Sequence, residues 1–559
     1  MKRSATQFGI TLLLAGLAAA QEPPPEPPAS IFGETVEVRV VNLEVVVTDP
    51  DGLPVTGLGV GDFRLTVDGV ETPIRYFTEV RSGTAVAPEA LAPEAVQPEA
   101  VASVPDLVPG EPVGTSYLVF VDDFFSIARD RDKVLSALRD DLGRLKPEDR
   151  MAIVAFDGDQ LAMLTTWTSS TKELERALRD AMARPAKGLQ RAAERRQAAG
   201  PRIPSTRRNL RFGSGLEFEE RFYADLLEGQ VSNMVSAAAA SLRAFANPPG
   251  RKVFMLLNGG WPYEIDDYVA NEVGRFVIEP GIQDGRKLHA PLIDTANQVG
   301  YTIFTVDIAG MAQENQKGAD YRSDDLYFND AVRDDARFSD FIREHNVQYA
   351  LTRVAAETGG RALLNAQRLD ALELTEAATR TYYFLGFEPT WRGDDKRHDL
   401  RVAVNREGLR VASRDSYVDF SRRSEVSAAV ESSLLVGSGP GVRALEVEVS
   451  SPERVSLNVM RVKVKVSLPA EEITLLPVGD ARMAELELRV ATIDENGGRS
   501  DVPVIPMRVS TPLEIQPGSR ATYETTIELR RVKNRLTVAV YHPAAGTLWA
   551  STVEVEPKS

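Results

Sequence analysis

The chain has 559 residues, of which 43% are hydrophobic and 26% are charged, and its formal net charge is -16. This length exceeds one ordinary core and predicts about three or four domains, and the acidic balance argues against non-specific binding to nucleic acid, which needs a basic surface. The absence of cysteine excludes disulfides, thiolate catalysis and zinc–thiolate sites.

The N-terminus has the pattern of a secretory signal. Lys2 and Arg3 precede an apolar run from Phe8 to Leu17, and Ala18–Ala20 supplies the small residues of a cleavage site. An uncleaved anchor is the alternative. No later run reaches the roughly 20 apolar residues of a membrane helix. We therefore expect residues 1–20 to be a signal peptide, and the mature protein to be periplasmic or extracellular without a transmembrane segment.

Three segments follow before the first helical pattern. Residues 21–34 are a Pro/Glu-rich spacer, which predicts extended chain without a core. Residues 35–80 alternate apolar and polar positions and carry Asp-Gly turn signals at 51–52 and 68–69, which predicts a small N-terminal β unit. Residues 81–114 contain a degenerate Pro-Glu-Ala repeat and are expected to form a flexible linker.

Strands alternate with helices over residues 115–375. Apolar runs such as SYLVFVD, RMAIVAFD, KVFMLLN and YTIFTVD predict strands, and the amphipathic segments between them predict helices. This alternation is typical of a doubly wound (Rossmann-type) α/β domain with a mostly parallel sheet of about five or six strands. An insertion at residues 184–211 is rich in arginine. It is either a docking surface for an acidic partner or a solvated excursion of the chain.

The remainder of the chain reads as β structure. Residues 376–420 contain further strands, and from about Ser427 onward the pattern is all strand and turn, which predicts an Ig-like β-sandwich over 427–559. The β unit at 35–80 and the strands at 376–420 are each too small to bury a good core alone. They are either separate units or one sandwich into which the α/β domain is inserted.

Several segments, in their order and spacing, resemble the VWFA-related domain proteins first catalogued from acidobacterial genomes, which are exported proteins with a von Willebrand factor type A (VWA) domain. YLVFVDD, DRMAIVAFDG, GRKVFMLLNGG and VGYTIFTVDIAG resemble the strands of that sheet, and LTRVAAETGGRALL and TRTYYFLGFEP resemble its closing segments. The match covers about residues 36–418. The resemblance implies a VWA-like domain flanked by β domains, and the binding of a protein partner.

In ligand-binding VWA domains, Mg²⁺ or Mn²⁺ is held at the carboxyl edge of the sheet by hard oxygen donors. On this resemblance Asp122 matches the first residue of the family's Asp-x-Ser-x-Ser loop and Ser126 matches the last. Phe124 replaces the first Ser, Asn258 replaces an Asp of a later loop, and the second-loop Thr has no clear counterpart, Ser214 being the nearest. We expect a degenerate site: either Asp122, Ser126 and Asn258 hold a metal, or they only organise the loop.

Exposed aromatic side chains at such an edge can anchor a protein partner. Phe124 and Phe125, with Asp123 and Trp261 beside them, are the candidates for this edge, and the alternative is that the Phe rings fold into the core. The four histidines lack metal-binding spacing with one another, and no nucleophile elbow or phosphate loop is present. The sequence therefore predicts a non-enzymatic protein that binds an unidentified protein partner. The alternative is a structural envelope protein that docks through its C-terminal sandwich.

Overall fold

A computed structural model of the chain describes residues 40–86, 107–198, 218–246, 248–269, 281–309, 330–436, 442–478, 481–494, 500, 502–512 and 518–557. The expected signal peptide and spacer, most of the linker, and Ser214 lie outside these residues. Among the residues described, no helix is both long and apolar enough to cross a membrane.

The strands that precede the first helix are β1 (Val41–Thr48), β2 (Phe63–Val67), β3 (Val70–Glu71), β4 (Tyr76–Arg81), β5 (Thr84–Val86) and β6 (Thr115–Asp122). The α/β region continues with α1 (Ala128–Asp140), β7 (Arg150–Phe156), β8 (Leu161–Thr168), α2 (Thr171–Ala183), α3 (Gly188–Ala198), α4 (Phe218–Ala244), β9 (Arg251–Asn258), α5 (Ile265–Val269), α6 (Gly285–Val299), β10 (Thr302–Asp307), α7 (Asp330–Ala356), β11 (Ala362–Leu363) and α8 (Ala371–Thr379).

The elements that follow are β12 (Tyr382–Phe387), β13 (Arg397–Val404), β14 (Arg410–Ala412), β15 (Ser416–Val418), α9 (Arg422–Val436), β16 (Val442–Ala444), β17 (Glu446–Val449), β18 (Glu453–Arg454), β19 (Val459–Pro469), β20 (Leu476–Val478), β21 (Ala481–Asp494), β22 (Val504–Pro512), β23 (Arg520–Arg530), β24 (Asn534–His542) and β25 (Thr547–Val555). Short 3-10 helices cover Val60–Asp62, Leu142–Arg144, Asn365–Asp370 and Ala470–Glu472.

The α/β domain is built on a six-stranded sheet with the order β11-β10-β9-β6-β7-β8. Its strands are parallel except β8, which pairs antiparallel with β7 at one edge. Helices cover both faces, so successive residues of β6 enter opposite cores: Phe120 lies in the core with α4 and α6, and Val121 in the core with α1 and α2. This explains why the inner strands read as continuous apolar runs.

The strand order reverses between β6 and β9, which are hydrogen-bonded neighbours in the sheet. The carboxyl ends of these two strands carry Asp122 and Asn258. In open α/β sheets, ligands bind in the crevice outside the carboxyl ends of the strands at such a switch point. The topology therefore directs the search for a site to this edge.

Segments on either side of the α/β domain share one β-sandwich. β1 pairs with β12 and β2 pairs with β13, both antiparallel. The two sheets have the orders β14-β1-β12-β4-β5 and β15-β13-β2-β3. Leu43 and Leu65 from before the α/β domain lie in one core with Leu385 and Val402 from after it. The α/β domain is therefore inserted between β5 and β12 of this sandwich.

The C-terminal strands form a second sandwich. One sheet has the order β16-β25-β24-β21-β20 with β22 also paired to β21, and the other has β17-β19-β18 with β23 also paired to β19. Val464 of β19 meets Leu488 of β21, Val538 of β24 and Trp549 of β25 in the core between the sheets. Strands that alternate buried and exposed positions, such as β19, account for this arrangement.

The expectation of strand and turn from Ser427 onward is wrong for the first part of that segment, because residues Arg422–Val436 form α9. The Oγ of Ser421 accepts the N–H of Ser424 at 3.2 Å, as a helix N-cap does. One face of the helix is apolar and buried, and comprises Val426, Val430 and Leu434. This face belongs to the same core as α4 and the outer side of β24, so α9 joins the α/β domain to the C-terminal sandwich.

Two predicted boundaries also differ from the structure. The expected linker at 81–114 begins later, because the β4–β5 hairpin continues through Val86 and Pro112 forms a β-bridge with Thr84. Part of the basic insertion at 184–211 is the helix α3, and its residues 199–211 lie outside the described part of the chain.

Candidate functional site at the carboxyl edge of the sheet

Asp122 ends β6 at the switch point and is fully buried. Its Oδ1 accepts the backbone N–H groups of Phe124 and Phe125, each at 2.8 Å. Its Oδ2 accepts the backbone N–H of Gly259 at 2.9 Å and the indole Nε1–H of Trp261 at 2.8 Å. Each oxygen thus receives two donors, and the carboxylate ties the loop after β6 to the loop after β9.

Burial raises the pKa of Asp122 to about 6, and the N–H groups that bond the carboxylate oppose this rise. A buried carboxylate needs such compensation because it has lost its hydration. At neutral pH the group is charged, and the donors from two loops replace the water that it would have at the surface.

Asn258 and Ser126 have local roles at the same edge. The Oδ1 of Asn258 accepts the backbone N–H groups of Gly260 at 2.6 Å and Trp261 at 3.0 Å, so this side chain holds its own turn. Ser126 is buried, and its Oγ has no hydrogen-bond partner within the described residues. Gly259 packs so closely on this serine that a Cβ there would lie 2.4 Å from the serine nitrogen.

These residues do not fit a divalent cation. A cation on Asp122 would have to displace N–H donors from the carboxylate, and Asn258 already directs its oxygen to two backbone groups. Phe124 offers no ligating atom. The oxygen without a partner is Ser126 Oγ, and one hydroxyl cannot replace the six or so oxygen ligands that such ions require. The geometry therefore does not support the expected Mg²⁺ or Mn²⁺ site of Asp122, Ser126 and Asn258.

Asp123 is fully buried in a salt bridge with two arginines. Arg131 Nη1 lies 2.6 Å from its Oδ1, and Arg184 Nε lies 2.6 Å from its Oδ2. Arg131 is also fully buried and donates to the carbonyl oxygen of Met182 at 3.1 Å. Asp123 thus fixes the loop after β6 to the end of α2. The expectation that it belongs to an exposed partner-binding edge does not fit this burial.

Phe124 and Phe125 are partly exposed, and their rings meet edge to face with centroids 5.0 Å apart. Phe124 covers Gly158, where a Cβ would come within 2.2 Å of the ring, and the Arg191 guanidinium lies 4.5 Å from the ring centroid. Both rings pack on the core beneath with one side and reach the surface with the other. Trp261 differs, because it is buried against Phe120 and cannot contact a partner in this conformation.

The helix α3 starts against the same loop. The backbone N–H of Lys187 donates to the carbonyl of Asp123 at 2.8 Å, and that of Gly188 donates to the carbonyl of Ser126 at 2.9 Å. Leu189, the next residue, is 65% exposed. The surface of this edge therefore combines two partly exposed rings with the basic N-terminal turn of α3. We call the side chains of Phe124 and Phe125 together with this turn the aromatic edge.

One cluster was missed by sequence reasoning. Asp394, His398 and Asp419 each place a potential ligand atom within 4.8 Å of the other two. The spacing between histidines does not reveal this cluster, because the partners of His398 are aspartates. The spacing Asp-x-x-x-His at 394–398 was the available signal, and it is weak on its own.

No protein-family model matches the chain, and a comparison with curated proteins gives no match either. Among solved structures, a structural-genomics target is 14% identical with a TM-score of 0.14, covering 21% of this chain and 88% of that chain. A beta-glucuronidase of Bacteroides uniformis is 9% identical with a TM-score of 0.15, covering 31% and 19%. A putative ApaA protein from Bordetella pertussis is 12% identical with a TM-score of 0.12, covering 21% and 99%. Likenesses of this size identify neither the fold nor the function.

Proposed function

We propose that this chain is an exported, non-enzymatic protein that binds another protein through the aromatic edge of a VWA-like central domain. The observation that carries the proposal is that both carboxylate oxygens of Asp122 are hydrogen-bonded to the loops that form this edge. Its hydrogen bonds to the loops after β6 and β9 assemble a surface at the switch point without a cation. Binding would then be independent of metal, unlike binding by the VWA domains that the sequence resembles.

The side chains of the aromatic edge suit an apolar contact with an acidic rim. Phe124 and Phe125 are rigid rings of the kind that dominate binding energy at protein interfaces. Lys187 Nζ and the Arg191 guanidinium lie 5.9 and 4.5 Å from the centroid of Phe124. In ligand-binding VWA domains the ion captures a carboxylate of the partner, and here these basic side chains supply positive charge beside the rings.

A second candidate function is a structural role in the cell envelope, with docking through the C-terminal sandwich. It is favoured by two apolar side chains near the β18–β19 turn, because Leu457 is 75% exposed and Val455 is 45% exposed. Apolar side chains that lie together at a surface are candidates for an interaction site. In this case the aromatic edge would have lost its binding role.

The test uses the mature chain, immobilised and exposed to an envelope extract of the source bacterium. The dissociation constant of a captured protein is then measured for wild type, for the Phe124→Ser/Phe125→Ser variant and for Leu457→Ser. We expect the double variant to bind about 30-fold more weakly or worse, which corresponds to about 2 kcal/mol, as for a hot-spot residue. Leu457→Ser should bind like wild type, and EDTA should leave the affinity of the wild type unchanged.

Thermal melts of all three proteins establish that the variants are folded. If Leu457→Ser loses binding while the double variant retains it, the second candidate replaces the first. If neither substitution changes the affinity, the proposal for the aromatic edge is wrong.

A further inference from the structure

Three side chains of the first β-sandwich converge near the ends of β13 and β15. Asp394 lies in the loop before β13, His398 lies within β13, and Asp419 follows β15 directly. A potential ligand atom of each lies within 4.8 Å of those of the other two. The ligand atoms of a tetrahedral zinc site are roughly 3.4 Å apart. Small rotations of the side chains would therefore bring all three atoms to bonding distance of one ion.

His398 is oriented by a residue outside this cluster. Its Nδ1 lies 2.7 Å from Oδ2 of Asp68, and its ring stacks on Tyr417 at 4.9 Å with an interplanar angle of 18°. Asp68 is itself held, because its Oδ1 accepts the backbone N–H of Asp399 at 2.9 Å. With Nδ1 bonded to this carboxylate, Nε2 is the nitrogen left for the cluster. A carboxylate behind the ring is how proteins fix the tautomer of a metal-binding histidine.

Asp419 brings a buried carboxylate to the cluster. The residue is 2% exposed, and its Oδ2 accepts the backbone N–H groups of Arg392 at 2.5 Å and Gly393 at 3.0 Å. Within the described residues its Oδ1 accepts no hydrogen bond, which leaves this oxygen available to a ligand. Because the residue is only 2% exposed, this carboxylate has little access to water, and a cation would compensate for the lost hydration.

Asp394 adds a second negative charge. Its carboxylate pairs with Lys396 Nζ at 2.9 Å, and the lysine side chain is 71% exposed, so this pairing is easily exchanged for water. Two carboxylates and an imidazole lone pair are all acceptors, and they repel one another unless something positive lies between them.

We propose that Asp394, His398 and Asp419 bind a divalent transition-metal ion such as Zn²⁺, with water completing the coordination. One imidazole nitrogen and two carboxylate oxygens form a donor set that Zn²⁺ accepts, whereas Ca²⁺ and Mg²⁺ prefer oxygen ligands alone. Asp68 precedes the inserted α/β domain and the three ligands follow it. A bound ion is therefore linked to the half of the sandwich that precedes the domain only through the hydrogen bond between His398 and Asp68. The inference does not depend on the proposed function of the aromatic edge.

The experiment uses the full mature chain without an affinity tag, stripped of metal by a chelator and dialysed. The chain has four histidines and no cysteine, so background binding of zinc should be low. Calorimetric titration with ZnCl₂ is expected to give one tight site per chain. Titration with CoCl₂ should give the visible absorption of four-coordinate Co²⁺, and titration with CaCl₂ should give no binding.

Four variants sharpen the test. His398→Ala should abolish the zinc site, and Asp394→Asn should weaken zinc binding. Asp68→Asn should weaken binding about 10- to 100-fold, as expected when the carboxylate behind a ligating histidine is lost. Asp399→Asn is the matched control, because this exposed aspartate neighbours His398 but lies outside the cluster. It should bind zinc like wild type.

Two outcomes would overturn the proposal. One is a wild-type chain that takes up no stoichiometric zinc. The other is zinc binding that is equal in wild type and His398→Ala. Should His398→Ala fail to fold by circular dichroism, Asp394→Asn decides, because it alters a partly exposed side chain that is bonded to a lysine at the surface.

Discussion

The carboxyl edge of the α/β sheet and the Asp394–His398–Asp419 cluster both gather aspartates, and they satisfy them in opposite ways. At the sheet edge each oxygen of Asp122 receives two N–H donors. In the sandwich cluster, the Oδ1 of Asp419 receives none from the described residues, and its neighbours are two further acceptors. The first site has no need of a cation, and the second has acceptors that face one another.

The difference teaches that the hydrogen bonds on each oxygen decide what an acidic site can hold. A sequence motif places oxygens at an edge, but the surrounding loops determine whether N–H groups or an ion will occupy their lone pairs. Trp261 is the clearest instance, because its indole N–H bonds to the carboxylate of Asp122, which the sequence alone suggested as a metal ligand.

The largest effect on stability is expected from a substitution of Asp123 at the carboxyl edge of the α/β sheet. Asp123→Ala leaves the fully buried Arg131 without its buried partner and should lower the free energy of unfolding by about 3–5 kcal/mol. Asp132→Ala is the control, because Asp132 also bonds Arg131, at 2.9 Å, but its side chain is 37% exposed. It should lower stability by less than about 1 kcal/mol. Urea unfolding at pH 7 measures both, and equal losses would show that the edge does not depend on this buried pair.

The pH dependence of stability tests the same edge. The folded-state pKa of Asp122 is raised to about 6 by burial, above its ordinary value. Folding therefore favours the protonated form. The stability that protonated Asp122 contributes is nearly complete below about pH 4 and is lost as the pH rises through 6. Between pH 4 and pH 7, the stability of wild type relative to Asp122→Asn should fall by about 2 kcal/mol.

Buried His289 also affects how the stability of each protein depends on pH. Burial lowers its pKa to about 4, so the stability that its neutral form contributes is lost as the pH falls. His289 is present in both proteins, so it cancels in the difference between them. A difference that does not change with pH would mean that Asp122 keeps an ordinary pKa and that the edge is open to water.

The sequence predicted the alternating α/β region and the C-terminal strands because short-range patterns of apolar and polar residues indicate both. The apolar run that became β6 and the alternation that became β19 need no distant partner to be recognised. The sequence leaves the pairing of β1 with β12 open, because no local pattern specifies the register between segments on either side of a whole domain. The helix α9 has the helical spacing of four residues between its apolar positions, but Ser and Val, which have low helix propensity, obscure it in the sequence.

The candidate sites were harder to predict than the fold. Only the sequence resemblance suggested that Asp122 and Asn258 share one edge, and the structure places them at the ends of neighbouring strands. The sequence could not show that backbone N–H groups and the indole of Trp261 would occupy the carboxylate, since that depends on the path of two loops. The cluster around His398 joins residues from a loop and two strand ends, and Asp68 comes from before the inserted domain.

The smallest effect is expected from Mg²⁺ or Mn²⁺, and it separates the two sites most directly. An ion at a hundred times its dissociation constant adds about 2.7 kcal/mol, which would raise the melting temperature on the order of 5 °C. We expect no rise when either ion is added to chelator-treated protein, because N–H donors occupy both oxygens of Asp122. Zn²⁺ in the same melt should raise the melting temperature of wild type but not that of His398→Ala. A rise with Mg²⁺ that disappears in Asp122→Ala would mean that the edge opens to admit an ion, and that the contrast between the two sites is one of affinity rather than of kind.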